Sequence, residues 1–299
     1  MEFRKLTSTC YYFDGPVNIG YIHHGEEGML VDAGIDASTM KKVLKVLEKK
    51  AFPITHLFIT HAHADHYGGA DHLHQKYSVH TIAPVLEEAI LRNPMLEPLY
   101  LFGGNDPLPE LRNKFLEGKS ITIDQTIKEG STQIGSFAFT AHHLPGHSYY
   151  QLGIVVDDIL FAGDSYFAAD QLKKHKIPFI TDAFQTLGSL EKIKKINCKG
   201  AFPGHGTFEE EFCVTVDKNI HYHQALLDWL EQKIGEQQKG ITHETIVSEM
   251  CQHFGVDTPK LSQWLLIRTA ITGYLIGLIK QDKISYSIEM GRWLFRPSS

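Results

Sequence analysis

Between positions 57 and 69 the chain reads Leu-Phe-Ile-Thr-His-Ala-His-Ala-Asp-His-Tyr-Gly-Gly, which puts His61, His63, Asp65 and His66 within six positions. Imidazole nitrogens and carboxylate oxygens are ligands for zinc, manganese or iron. Alternate residues of an extended segment point the same way, so His61 and His63 can offer both rings to one ion, while Asp65 and His66 turn into the next element. One loop can therefore serve two metals. Three histidines and an aspartate are poor turn chemistry, so a merely solvated loop does not account for them.

The loop needs a rigid support. Residues 57–59 form a short apolar run that reads as a buried strand with the histidines at its carboxyl end. Upstream, short strand-like runs over residues 6–32 include 17–24 and 29–32 on either side of Gly25-Glu26-Glu27-Gly28, a hairpin signature that begins an antiparallel sheet. Asp36-Ala37-Ser38 introduces a helix over 40–50 with Val43, Leu44, Val46 and Leu47 on its apolar stripe, and a helix over 71–77 and a strand over 79–83 follow the histidine loop. Between 85 and 118 the strand alternation is lost. Helices are expected there at 85–92 and 110–116, among Pro94, Pro98, Pro107 and Pro109, as an insertion that is either a lid or a packed decoration.

Strand runs return from 121 to 156 and imply a second sheet. Two more apolar strands end in a metal-binding side chain, Asp164 after residues 159–163 and His205 after 200–204. His147 sits in Leu144-Pro145-Gly146-His147-Ser148, a turn that would expose a ligand, whereas His142 and His143 belong to the strand before it. The chain has 299 residues, 42% of them apolar, and a net charge of -6, which argues against a surface built throughout for nucleic acid or anionic lipid. Cys10, Cys198, Cys213 and Cys251 are scattered and read as reduced, buried thiols. The first residues lack a signal-peptide core, so the expected compartment is the cytoplasm; residues 261–279 read as an amphipathic helix or helix pair rather than a membrane span.

Taken in order, Val31-Asp32-Ala33-Gly34, His61-x-His63-x-Asp65-His66, Pro145-Gly146-His147-Ser148, Ala162-Gly163-Asp164-Ser165 and Pro203-Gly204-His205-Gly206 resemble the motif series of the metallo-beta-lactamase superfamily over roughly residues 6–208. The resemblance implies an α/β fold, a four-layer αββα sandwich with the metal site at the sheet edges. It assigns His61, His63 and His147 to a first metal, Asp65, His66 and His205 to a second, and Asp164 to both, with Asp32 supporting the site without ligating. Two divalent ions, zinc first and manganese or iron as alternatives, would then share a bridging hydroxide, with Asp65 holding or relaying its proton. Redox members of the superfamily commonly carry glutamate where this chain has His63, which favours hydrolysis over an iron-dependent oxygenase. No cysteine occupies a ligand position, which argues against a penicillin substrate.

After His205, residues 208–239 carry a helical stripe, and Gln237-Gln238-Lys239-Gly240 reads as its stop. The catalytic domain is accordingly placed at 1–239. Residues 240–299, with a helix capped by Thr242, a helix or helix pair opened by Thr258-Pro259, and a hairpin over 283–295, resemble a winged helix found in some hydrolases of this superfamily. From Ile220 to Ser299 eight Lys or Arg meet eight Asp or Glu, a weak footprint for phosphate binding. Packing on the catalytic domain or homodimerisation is favoured over nucleic acid for this part. The leading expectation is a glyoxalase II-like hydrolase of an ester, thioester or lactone of a small metabolite; the alternatives are a phosphodiesterase or endoribonuclease acting on single-stranded RNA and a winged-helix nucleic-acid-binding protein.

Overall fold

The computed structural model describes residues 1–298. Strands β1 (Glu2–Lys5), β2 (Cys10–Asp14), β3 (Ile19–His24) and β4 (Glu27–Val31) form an antiparallel meander. Helix α1 (Ala37–Lys49) follows, started by Asp36, whose carboxylate accepts from the Thr39 backbone N–H at 3.0 Å. Its buried positions Met40, Val43, Leu44 and Leu47 recur at helical spacing, so one stripe is driven onto the sheet and the lysine-rich stripe stays in water. The chain returns to the sheet as β5 (His56–Phe58), continues through the short helices α2 (Ala64–Tyr67) and α3 (Ala70–Lys76), and adds β6 (His80–Pro84) parallel to β5.

The insertion contains α4 (Glu87–Arg92) and α5 (Leu96–Leu101). The helix expected at 110–116 is absent; a single 3-10 turn, Pro109–Leu111, stands there instead. The Asn113 carboxamide oxygen accepts from the Phe115 backbone N–H at 3.0 Å, a local turn that competes with helical bonding. Helix α5, beginning just beyond Pro94, was not expected. Strand β7 (Gln125–Ile127) then closes the first sheet, so the return of strands near 121 begins on the first sheet rather than the second.

The second sheet is built from β8 (Gly130–Ile134), β9 (Phe137–His143), β10 (Leu152–Val156), β11 (Ile159–Phe161) and β12 (Gly200–Phe202), in the reverse spatial order. Helices α6 (Ala169–His175) and α7 (Ala183–Ile193), unread in the sequence, lie between its last two strands, and α8 (Phe212–Gly235) follows. Three apolar layers bind these elements into an αββα sandwich. Leu57 and Ile59 join α1 and α3 in the outer layer, while Phe58 points the other way to meet Phe137, Phe139 and Phe161 between the sheets. Leu160 and Ala201 on the far face of the second sheet pack against Leu190, Ile193, Phe212 and Val216 of α7 and α8.

The carboxyl-terminal part comprises β13 (Ile241–Thr242), α9 (His243–His253), α10 (Leu261–Lys280), β14 (Ile284–Glu289) and β15 (Arg292–Pro297). The Thr242 hydroxyl caps α9 as expected, and residues 261–280 form one helix that starts after Pro259. Its Gly273 and Gly277 let α10 approach the start of α7, where an added Cβ would lie 2.9 Å from the Ile180 carbonyl oxygen and 2.8 Å from the Ala183 Cβ. The core here draws on both sides of position 240, since Leu226, Leu227, Leu230 and Ile234 of α8 pack with Ile246, Tyr274 and Phe295. Helix α10 has the length and apolar composition of a membrane span; its buried face is the one turned to α7 and α8.

Candidate metal centre

Five strands end at the same rim. Asp32 follows β4, the His61–His66 loop follows β5, and His147, Asp164 and His205 follow β9, β11 and β12 of the other sheet. Carboxyl ends of strands are where open α/β sheets leave a crevice, because the chain there departs into loops. All seven residues that the sequence nominates as ligands meet in this crevice. They fall into three overlapping groups, His61 with His63 and His147, His61 with His66 and Asp164, and Asp65 with His66 and His205, each with its ligand atoms within 4.8 Å of one another.

In the first group His61 Nε2 and His147 Nε2 lie 3.1 and 2.9 Å from His63 Nδ1. The other nitrogens of His147 and His61 are committed elsewhere. His147 Nδ1 donates to the Phe179 carbonyl at 3.0 Å, and His61 Nδ1 donates to the Thr60 hydroxyl at 3.0 Å, which itself donates to Asp32. Three lone pairs are thereby aimed at one point, an arrangement that a single proton cannot satisfy and a cation can. Burial, reinforced by the neighbouring imidazoles, holds His61 well below the ordinary histidine range and His147 down to about 3. His63 is pushed by burial to about 4 despite the opposing pull of Asp65 and Asp164.

The second group has acids among its donors. His66 Nδ1 donates to Asp32 at 2.8 Å and turns Nε2 to Asp164 Oδ1, 3.3 Å away, yet both of those atoms are buried without a hydrogen-bond partner. His205 Nδ1 donates to the Pro16 carbonyl at 2.7 Å, leaving Nε2 at 3.3 Å from both Asp65 Oδ2 and Asp164 Oδ2. Burial opposes the charge on these rings, but the carboxylates prevail and raise His66 well above its usual range and His205 to about 10. Asp65, for which burial is again outweighed by His66 and His205, lies at about 2. Asp164 Oδ2 is also 3.4 Å from His147 Nε2, so this carboxylate touches both groups. The orphaned buried atoms, the converging lone pairs and the mixed nitrogen and oxygen donors fit a pair of divalent metal ions.

Local backbone makes the convergence feasible. Asp32 adopts φ 65, a left-handed conformation uncommon for a residue with a side chain, and its carboxylate accepts from the Thr60 N–H at 2.8 Å, the Thr60 hydroxyl and His66. Gly204 must lack a side chain, because a Cβ would stand 2.2 Å from Asp164 Oδ1 and 2.7 Å from His66 Cε1. Three further positioning residues escaped sequence reading. Glu87 of α4 accepts from the Ala62 N–H at 2.9 Å, the Ser148 hydroxyl at 2.8 Å and the Tyr150 N–H at 2.9 Å, tying the His61 loop to the His147 loop across two sheets. Gln151 accepts from the Asp164 N–H at 2.9 Å, and Asn18 donates to the carbonyls of Pro203 and Gly204 beside His205. No local motif marks any of them.

His142, His143 and the tyrosines next to the ligand-bearing segments lie apart from the groups. His142 and His143 stay on β9, where His143 stacks on Tyr150. Tyr166 is buried in the layer between the second sheet and its helices, Tyr67 accepts from the Gly118 N–H in the opposite outer layer, and Tyr149 is exposed. In front of the centre is a cleft of about 470 Å³. Its walls come from the insertion, the segment between α6 and α7, and the carboxyl-terminal part, and include Phe115, Ile177, Phe179, Leu266 and Ile267.

A family model described as the metallo-beta-lactamase superfamily matches residues 12–205. A hydroxyacylglutathione hydrolase of Rhodopseudomonas palustris is 24% identical over 221 residues, 72% of this chain and 74% of that protein. A lactamase-like protein of Aspergillus niger is 23% identical over 203 residues, covering 67% of this chain and 53% of the relative. Among solved structures, a metallo-beta-lactamase family protein from Thermus thermophilus superposes with a TM-score of 0.73 at 15% identity, covering 98% of this chain and all of the other. A beta-lactamase domain protein from Burkholderia ambifaria gives 0.71 at 15% identity, with 99% and 93% covered. These likenesses extend the shared fold across the carboxyl-terminal part, which lies beyond the residues that the family model matches.

Proposed function

The chain belongs to the metallo-beta-lactamase superfamily of hydrolases, and from that premise we propose that it holds two divalent ions, zinc in the first instance, and hydrolyses a thioester, ester or lactone of a small metabolite. The observation that carries this reading is the pair of donor groups joined by Asp164. When bound, two such ions supply water acidified toward a pKa of ~7 and positive charge for a carbonyl oxygen. His61, His63 and His147 would hold one of them and Asp65, His66 and His205 the other, with Asp164 common to both. Asp32 and the Phe179 and Pro16 carbonyls fix which ring nitrogen of His66, His147 and His205 faces inward. Asp65, ionised in the metal-free chain above about 2, is placed to orient the attacking water and take its proton.

The cleft's apolar side chains support an acyl group, and its two lysines, Lys174 and Lys176, fall short of the basic groove that a polynucleotide's phosphates call for. The name of the Rhodopseudomonas relative, a thioester hydrolase, points to the same bond. The test is release of thiol from a panel of simple acyl thioesters by enzyme stripped with a chelator and then reloaded. We expect stripping to cut kcat/KM by more than about 10³-fold and zinc or manganese to restore it. Turnover that persists after elemental analysis shows the metal gone would refute the mechanism.

A further inference from the structure

One acid in the cleft is used by none of the chemistry above. Glu97 of α5 is 4% exposed and lines the cleft with His63, Asp65 and His147. Its Oε2 is buried without a hydrogen-bond partner. Burial, together with the carboxylates of Asp65 and Glu87, holds its carboxyl well above the ordinary range.

Glu87 shows how a glutamate with a purely architectural role is treated in the same insertion. It is 3% exposed, and both of its oxygens are engaged by donors from two loops. Glu97 has a comparable depth and no such partners. Buried polar groups are hydrogen-bonded as a rule, and a cleft-lining acid with no partner among the described residues can be satisfied by what the cleft receives. The lining around it includes the apolar Phe115, Leu116, Leu266 and Ile267 as well as Lys174, Lys176, Asp257, Thr258 and Gln263, and a few placed polar groups on a largely apolar lining fix a ligand's orientation.

We propose that Glu97 is a specificity-determining residue that hydrogen-bonds a neutral hydroxyl or amide group of the substrate while the carbon chain bearing that group lies along the apolar wall. A substituent that is itself a carboxylate would be drawn to Lys174 or Lys176 of the same cleft rather than to Glu97 beside Glu87, and a plain alkyl chain would leave the acid unpartnered. The substrate that this selects is an acyl compound carrying a polar, uncharged substituent. The assignment takes the site of reaction from the hydrolase reading, but the contact itself does not depend on turnover.

Binding therefore tests it. Zinc-loaded wild type, Glu97→Gln and Glu97→Leu are titrated calorimetrically with pentanoate, the hydroxypentanoates, N-acetylglycine and aminopentanoate, with zinc content measured on each protein. At least one hydroxyl or amide probe is expected to bind wild type about tenfold or more tightly than pentanoate. Glu97→Gln keeps most of that preference; Glu97→Leu abolishes it and leaves pentanoate affinity and zinc content unchanged. A wild type without the preference, a preference that survives in Glu97→Leu, or tighter binding of aminopentanoate overturns the proposal. Should Glu97→Leu fail to fold or lose zinc, Glu97→Ala is read in the same way. A wild type that shows the preference but cleaves no thioester, ester or lactone refutes the hydrolase reading alone.

Discussion

His147 and His205 each follow a strand of the second sheet and each turns Nε2 toward Asp164 Oδ2, at 3.4 and 3.3 Å. Burial nevertheless pushes the first down to about 3, whereas against the same burial Asp164 and Asp65 lift the second to about 10. The cause is the company each keeps. His147 stands beside His63 and His61, and His205 stands between two carboxylates. The three-histidine group therefore presents neutral lone pairs in advance, while the acid-rich group holds protons that a cation must displace. One carboxylate, Asp164, belongs to both environments.

The largest effect is expected at that shared residue. Asp164→Ala should weaken retention of both ions by more than about 10²-fold, while His147→Ala and His205→Ala each release principally one. Elemental analysis after dialysis against a chelator distinguishes the three variants, and equal metal loss across them contradicts the bridging role of Asp164. A smaller effect is expected from pH. His205, raised to about 10, and His66, raised as well, carry protons in the metal-free chain at neutral pH, so affinity for the second ion should climb as pH rises toward 10 and fall in acid. His63 and His147, at about 4 and about 3, are already neutral, so the first ion's affinity should be flat above about pH 5. Calorimetry in buffers of different ionisation enthalpy counts the protons released; parallel loss of both ions on acidification breaks the contrast.

The smallest effects sharpen the comparison from outside the ligands. Glu87→Gln leaves an amide facing backbone N–H donors and loosens the His61 and His147 loops, so it should lower affinity for the first ion by about tenfold. Asp32→Asn removes the charged acceptor of His66 and should weaken the second ion by about 10- to 100-fold, and the first by less, through the Thr60 hydroxyl that orients His61. Stepwise metal titration followed with cobalt absorption separates the two sites. If Glu87→Gln weakens the second ion as much as Asp32→Asn does, the loops are not independently supported.

Part of this centre is legible because its information is local. His61, His63, Asp65 and His66 occupy one strand end and the helix turn after it, and His147, Asp164 and His205 each sit within a few residues of a glycine turn behind an apolar strand. The same local logic yields α1, whose cap, Asp36, and stripe lie within fourteen consecutive residues. The expected helix at 110–116 failed because Asn113 made a side-chain turn of its own, an alternative that periodicity does not register. The end of α6 and the segment after it, which build a wall of the cleft, likewise carry no signature of what they enclose.

Sequence alone determined the identity of the donors and their order along the chain, because ligand type and strand-end position are properties of short segments. Tertiary structure decided which donors face one another, that Asp164 stands between the groups, and that Glu87 is satisfied while Glu97 is not. Those outcomes depend on contacts between residues such as Ala62 and Glu87, or His147 and Asp164, that only the packing of two sheets brings within a few ångströms, and on the loss of solvent that makes each such contact count.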